Sequence, residues 1–304
     1  MSDLRFTVFT PVYNRRHTIH RVFDSLMRQS TKDFEWLVID DGSTDNIKPL
    51  IDEYAEKADF KVRYYYKENG GKHTATNMAY TLMETEYFTI LDSDDAFTDD
   101  AVEKMLAAWD AIPEGDRALY WSVVGHCINS ETRELIGELF PDGINEFDDV
   151  RKSASIKGDK TAALRTDVMK KFPYPEPEGT NFVTESVVYN KIEKEYKQYY
   201  FNDILKIVYY EPDSLTIAWY RDHVKEGYVS NFVWKQSIIN DVGIKSIKDY
   251  FILFQYTFYG VMSNKKLGEI TSGINKGFYR FICTLLYVPA KAIRAFRSKR
   301  GVNE

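Results

Sequence analysis

Residues 87–100 read YFTILDSDDAFTDD. An apolar, β-rich run stops abruptly at Asp92, Ser93, Asp94 and Asp95, and carboxylates crowded this closely repel one another unless a counter-charge sits among them. Hard divalent cations take oxygen ligands, and Mg²⁺ is usually held by one or two carboxylates together with phosphate oxygens. The same residues also suit a solvated turn in which Asp99 or Asp100 caps the next helix. What separates the two readings is where this strand ends relative to its neighbours.

Working outward, the first 125 residues alternate between β-rich runs and helical periods. Strands are predicted at 5–12 (RFTVFTPV), 35–40 (EWLVID), 61–66 (KVRYYY) and 87–92 (YFTILD). Helices are predicted at 18–29, through Ile19, Val22, Phe23 and Leu26, at 47–58, through Ile47, Leu50, Ile51 and Tyr54, and at 74–84 and 101–112. This order is that of an α/β fold, a mostly parallel sheet flanked by helices. The strands run into Thr10-Pro11-Val12-Tyr13-Asn14, Asp40-Asp41-Gly42-Ser43-Thr44-Asp45, Lys67–His73 and Asp92–Asp95. Ligands of open parallel sheets bind outside the carboxyl ends of the strands, so four polar segments far apart in sequence are expected to converge. Taken singly each is weak. Asp40 and Asp41 sit in an Asp-Gly-Ser turn and are also acceptors suited to the imide edge of a base. NGGKH (69–73) could bring amides and Lys72 to phosphate, but it matches neither GxxxxGK[ST] nor GxGxxG.

Beyond residue 125, strands are predicted at 119–128 and 133–139, a Pro-rich loop at 173–179 and a helix at 184–196; from 226 onward the chain reads as helical and aromatic-rich, including 246–262. Between 126 and 225 only Trp219, Arg221 and His223 stand out as further polar or aromatic candidates. The chain has 304 residues, 44% hydrophobic and 28% charged, and its net charge of −6 argues against general nucleic-acid binding. Cys127 and Cys283 form neither a disulfide framework nor a zinc pattern, which fits a reducing cytoplasm. The start, MSDLRFTVFTPVYN, lacks the pattern of a signal peptide, and no run approaches the roughly 18–20 apolar residues that cross a bilayer. Residues 277–300 mix Phe, Leu, Ile and Val with Arg and Lys. They suit either an interfacial helix at the inner face of the membrane or an amphipathic helix docked on the protein, kinked or divided at Pro289.

Together, residues 6–45, 69–79 and 87–105 resemble, in order and spacing, the family-2 inverting glycosyltransferases of the GT-A (Rossmann-like) fold. The resemblance implies a glycosyltransferase domain over 1–225, with a nucleotide-sugar-binding half (1–125) and an acceptor-binding half (126–225), followed by a helical C-terminal extension (226–304). It implies donor contacts from Thr10, Pro11 and Tyr13, whose ring packs on the base, from Asp40 and Asp41 as base readers, and from Lys72 and Asn77 in the donor pocket. Asp92-Ser93-Asp94 matches the DxD element, Asp92 toward the ribose and Asp94 on an Mg²⁺ or Mn²⁺, with Asp95 beside it as a further ligand or a donor-sugar contact. Where the family often carries a Glu-Asp pair as catalytic base, this chain has Glu185 followed by Ser186, which leaves Glu185 as the expected base. The partners implied are a nucleotide sugar, with UDP the expected nucleotide, and a glycan or lipid-linked acceptor of cell-surface polysaccharide synthesis. A sugar nucleotidyltransferase is the rival enzyme, disfavoured because the start lacks a Gly-rich triphosphate loop; a non-catalytic nucleotide-sugar or glycan-binding module is the rival outside enzymes.

Overall fold

The four predicted amino-terminal strands lie side by side. In the computed structural model, which describes residues 4–141, 158–210 and 226–299, β1 (Phe6–Val12) is flanked by β2 (Phe34–Asp40) and β4 (Tyr87–Ile90), and β3 (Lys61–Tyr66) pairs with β2; all three pairings are parallel. β1 and β2 are buried along their full length, which is why they read as near-continuous apolar runs rather than alternating ones. Helices α1 (His20–Met27), α2 (Lys48–Lys57), α3 (Lys72–Leu82) and α4 (Ala101–Ala111) occur where the apolar periods predict them, with ends shifted by up to two residues. Two-residue β5 (Ala96–Phe97) lies between β4 and α4. Behind β2, the Phe23 and Tyr54 rings stack at 4.0 Å and lean on Trp36, whose Nε1 donates to Thr10 Oγ1 at 3.0 Å.

Three further strands widen the sheet: β6 (Tyr120–Asn129), β7 (Lys160–Arg165), which leads into the one-turn α5 (Thr166–Met169), and β8 (Lys197–Val208). The order is β3-β2-β1-β4-β7-β6-β8-β5. β7 runs antiparallel to both β4 and β6, and β8 lies parallel to β6. β5 pairs antiparallel with β8, so that Phe97 faces Lys206 and the chain just after the aspartates is fixed to the end of β8. The strand predicted at 133–139 does not form. Arg133 (φ 59°) and Gly137 (φ 95°) turn the backbone into the left-handed region, and only Leu135 bridges back to Ile128.

The chain divides into two compact units, residues 1–173 with 195–211 and residues 174–194 with 212–304, so that 174–194 groups with the C-terminal helices. Within the second unit lie α6 (Ser186–Ile192), α7 (Glu226–Ser237), a π-helical turn (Ile238–Val242), a 3₁₀ turn (Ile247–Tyr250), α8 (Phe251–Met262), α9 (Leu267–Ser272) and α10 (Gly277–Lys299). Its core gathers Phe232, Leu253, Tyr256, Ile270 and Cys283, with the Tyr256 hydroxyl donating to Ile270 O at 2.7 Å. α10 passes through Pro289 without dividing. Cys127 and Cys283 are both buried and unbridged. Among the described residues no helix is long and apolar enough to cross a membrane. The candidates Trp219, Arg221 and His223, and Arg300 of the basic tail, lie outside the described residues.

Candidate active site

The parallel pairing places the polar segments after β1–β4 at one edge. Asp41 N donates to Val12 O (2.8 Å), Lys67 N to Asp40 O (2.9 Å) and Leu91 N to Phe9 O (2.9 Å), so each ladder carries one bond past its last strand residue. Just beyond β1, Tyr13 is 50% exposed, with its ring available to stack on a flat ligand. Thr10 and Pro11, by contrast, are inside the sheet, and the Thr10 hydroxyl accepts from Trp36.

Asp40 and Asp41 are 2% and 3% exposed, and their carboxylates hold the loops of this edge together. Asp40 accepts from Ser43 N (2.7 Å) and from the Tyr64 hydroxyl (2.6 Å). Asp41 accepts four times: Lys67 Nζ (2.6 Å) and Gly70 N (3.0 Å) on one oxygen, Gly71 N (2.7 Å) and Asn69 Nδ2 (3.2 Å) on the other. Two donors on each oxygen occupy the lone pairs of the carboxylate, which ties Asp41 to the shape of the 67–71 loop. Gly42 makes the approach possible. Its φ is 84°, and a Cβ there would stand 2.7 Å from Asn69 N. Gly71, at φ 93°, opens α3 and so delivers Lys72 at the first helical position.

Lys72 Nζ lies 2.7 Å from Asp92 Oδ1. A second cation reaches the cluster from β8: Lys206, only 8% exposed, sits 2.9 Å from Asp95 Oδ2 and 4.0 Å from Asp92 Oδ2. Asp95 also accepts from Tyr209 N at 3.0 Å, so its carboxylate ties the loop to β8. Arg21 donates to Asp94 O at 3.2 Å while its guanidinium lies over the Tyr209 ring at 4.2 Å. Ser93 is buried. Burial opposes ionisation of Asp92, but Lys72 and Lys206 outweigh it and hold that carboxyl below its ordinary value. Burial likewise lowers Lys206, yet Asp95 and Asp92 raise it well above an ordinary lysine, so it stays charged. Asp94 behaves differently. Burial first, then repulsion from Asp92 and Asp95, push it up to about 6 against the pull of Arg15.

Asp95 is raised as well, by burial first and despite Lys206, so burial and mutual repulsion act on both carboxyls. Among the described residues no group of three or more His, Cys, Asp or Glu side chains forms a self-contained metal cage. The carboxylate oxygens of Asp92 and Asp94 are of the kind a hard cation takes when one or two protein carboxylates are joined by oxygens of a ligand such as a diphosphate.

Of the predicted site residues, Tyr13, Asp40, Asp41, Lys72 and Asp92–Asp95 share this edge. Asn77, on α3 beyond Lys72, lines a pocket of about 300 Å³ with Tyr80, Thr81, Lys170 and Pro173. Glu185 belongs to the other compact unit; it precedes α6, and its carbonyl, not its carboxylate, accepts from Val188 N and Tyr189 N. Lys206 and Arg21 escape a reading of the sequence, since a single Lys in β8 or Arg in α1 carries no local sign of an aspartate partner so distant along the chain.

Comparison with known families decides the assignment: the glycosyl transferase family 2 pattern matches residues 7–171, more than half of the chain. The chain belongs to glycosyl transferase family 2. This family-2 glycosyltransferase is 39% identical over 106 residues to an uncharacterized glycosyltransferase of Rickettsia felis, an alignment covering 35% of this chain and 17% of the relative. It is 37% identical over 101 residues to the putative teichuronic acid biosynthesis glycosyltransferase TuaG of Bacillus subtilis, covering 33% of this chain and 40% of TuaG. The chain thus spans a minor part of the length of these curated relatives. Staphylococcus aureus TarS (residues 1–349), solved in complex with UDP-GlcNAc, shares the fold with a TM-score of 0.59 at 17% identity, over 94% of this chain and 79% of that one. The GT-A architecture predicted for this glycosyltransferase, a mixed sheet flanked by helices with C-terminal helices after it, is the one observed.

Proposed function

We propose that the chain transfers a sugar from a nucleotide diphosphate sugar, with UDP the expected nucleotide, to a hydroxyl of a glycan or lipid-linked acceptor, with inversion at the anomeric carbon and dependence on Mg²⁺ or Mn²⁺. The observation that carries this is the convergence at the carboxyl ends of β1–β4, where Asp92, Asp94 and Asp95 lie with Lys72 and Lys206 among them and Tyr13 is exposed just beyond β1. The UDP-GlcNAc complex of the structurally similar TarS supports a UDP-linked donor, and the name of the TuaG relative supports a cell-wall polysaccharide product.

In this reading Tyr13 stacks on the base, Lys72 faces the diphosphate beside Asp92, and Asp94 holds the cation. Bound Mg²⁺ or Mn²⁺ would neutralise charge growing on the departing diphosphate. Glu185 takes the proton of the acceptor hydroxyl as its oxygen bonds to the anomeric carbon and the bond from that carbon to the diphosphate oxygen breaks. A positioned base contributes about 10² to 10⁴-fold. Asp41 and Asp95 act one step back, by fixing the loops that present Lys72 and Asp94.

A thermal-shift screen of nucleotide sugars with and without Mn²⁺ identifies the donor, and transfer by wild type and Glu185→Gln is then compared with that donor. The expected result is a fall of about 10² to 10⁴-fold in turnover with donor affinity kept. Near-normal turnover by Glu185→Gln removes Glu185 from the role, and the lack of any Mn²⁺-dependent nucleotide-sugar shift overturns the function.

A further inference from the structure

α10 carries apolar residues on two sides. One side, with Tyr279, Cys283, Leu286 and Ala290, packs into the core of its own unit. On the other, Phe278 (62%), Phe281 (59%), Leu285 (60%) and Val288 (71%) are exposed, and Phe296 continues the row. Steps of three and four residues keep Phe278, Phe281, Leu285 and Val288 on one face through about three turns, and Phe296, two turns further on, returns to that face, so they form a ridge rather than scattered apolar residues. Elsewhere in the same unit, Ile247 on the 3₁₀ turn and Phe251 at the start of α8 are exposed as well.

Charge decides what can cover this face. In a chain of net charge −6, α10 holds Arg280, Lys291, Arg294, Arg297 and Lys299 and not one Asp or Glu. Lys245, Lys248 and Lys276 add exposed positive charge around the turn, where Asp249 is engaged by the amides of Lys245 and Ser246. A second copy of the chain packed symmetrically on the ridge would set the exposed Arg280 and Lys291 of each copy against one another with no carboxylate of α10 between them, whereas Arg294 and Arg297 are turned to α8. A layer of anionic headgroups over acyl chains offers both apolar depth and negative charge.

We propose that the exposed face of α10 binds in the plane of an anionic lipid bilayer. The ridge residues enter the acyl boundary while Arg280 and Lys291 meet headgroup phosphates. This surface is independent of the transfer reaction proposed above, and its test does not read activity.

The test is sedimentation of the full chain with vesicles of phosphatidylcholine alone or phosphatidylcholine mixed with phosphatidylglycerol, at low and high salt. Light scattering in parallel gives the oligomeric state. The wild type is expected to pellet with the mixed vesicles about tenfold more strongly than with the neutral ones, and less so at high salt. Phe281→Ser with Leu285→Ser and Val288→Ser, all exposed positions, is expected to abolish pelleting with the melting temperature kept. Equal pelleting with both vesicle types, no pelleting by the wild type, unchanged pelleting by the triple variant, or a dimer that the triple variant dissolves would each overturn the proposal.

Discussion

Lys206 sets the balance of the aspartate cluster. Buried at the end of β8 within 2.9 Å of Asp95 and 4.0 Å of Asp92, it neutralises part of a charge that would otherwise repel itself apart. Lys206→Met leaves Asp95 buried and unpaired. A loss of about 3–5 kcal/mol is expected in chemical denaturation, with most of it restored by Lys206→Arg. Gly42→Ala tests the loop that Asp41 organises. With φ at 84° and Asn69 N at 2.7 Å from the new methyl, it is expected to destabilise by about 1–3 kcal/mol and to weaken donor binding. His126 gives a pH signature. Fully buried, it bonds through Nε2 to Asn202 Oδ1 at 2.8 Å, while its Nδ1 has no partner among the described residues, so burial lowers its pKa below the ordinary 6.5. The unfolded chain therefore takes up a proton that the folded chain resists, and stability falls as pH drops below about 6.5. His126→Gln is expected to flatten that acid limb in denaturation curves measured across pH.

At the scale of elements, what was legible followed local periodicity. The runs at 5–12, 35–40, 61–66 and 87–92 became β1 to β4 because each is apolar, β-rich and closed by a polar turn, and together they gave the α/β class and the shared ligand edge. The C-terminal half was harder to read. β8 spans Lys197–Val208 but contains Asn202 and Asp203, which break its apolar pattern, and its register with β6 shifts three times. RELIGEL has strand composition yet turns at Arg133 and Gly137. Site residues followed the same division. Asp92 to Asp95 stood out as a run, whereas the saturation of Asp41 depends on amides from the 67–71 loop and the counter-ion Lys206 arrives from a distant strand. Thr10, expected at the donor, is fixed by Trp36 because β1 and β2 are covered on both faces.

At the scale of the molecule, the aspartate edge and its cations lie in one compact unit, while Glu185 and the cationic α10 belong to the other. The claim on which the proposed chemistry stands is that Asp94 holds a divalent cation shared with a nucleotide diphosphate. Calorimetric titration of UDP with and without Mn²⁺, into wild type and Asp94→Asn, tests it most directly. In the wild type, Mn²⁺ is expected to tighten UDP binding by at least about tenfold, and Asp94→Asn, folded to the same melting temperature, is expected to bind UDP equally with and without the metal. A wild type indifferent to Mn²⁺, or an Asp94→Asn variant with the full metal effect, would contradict it.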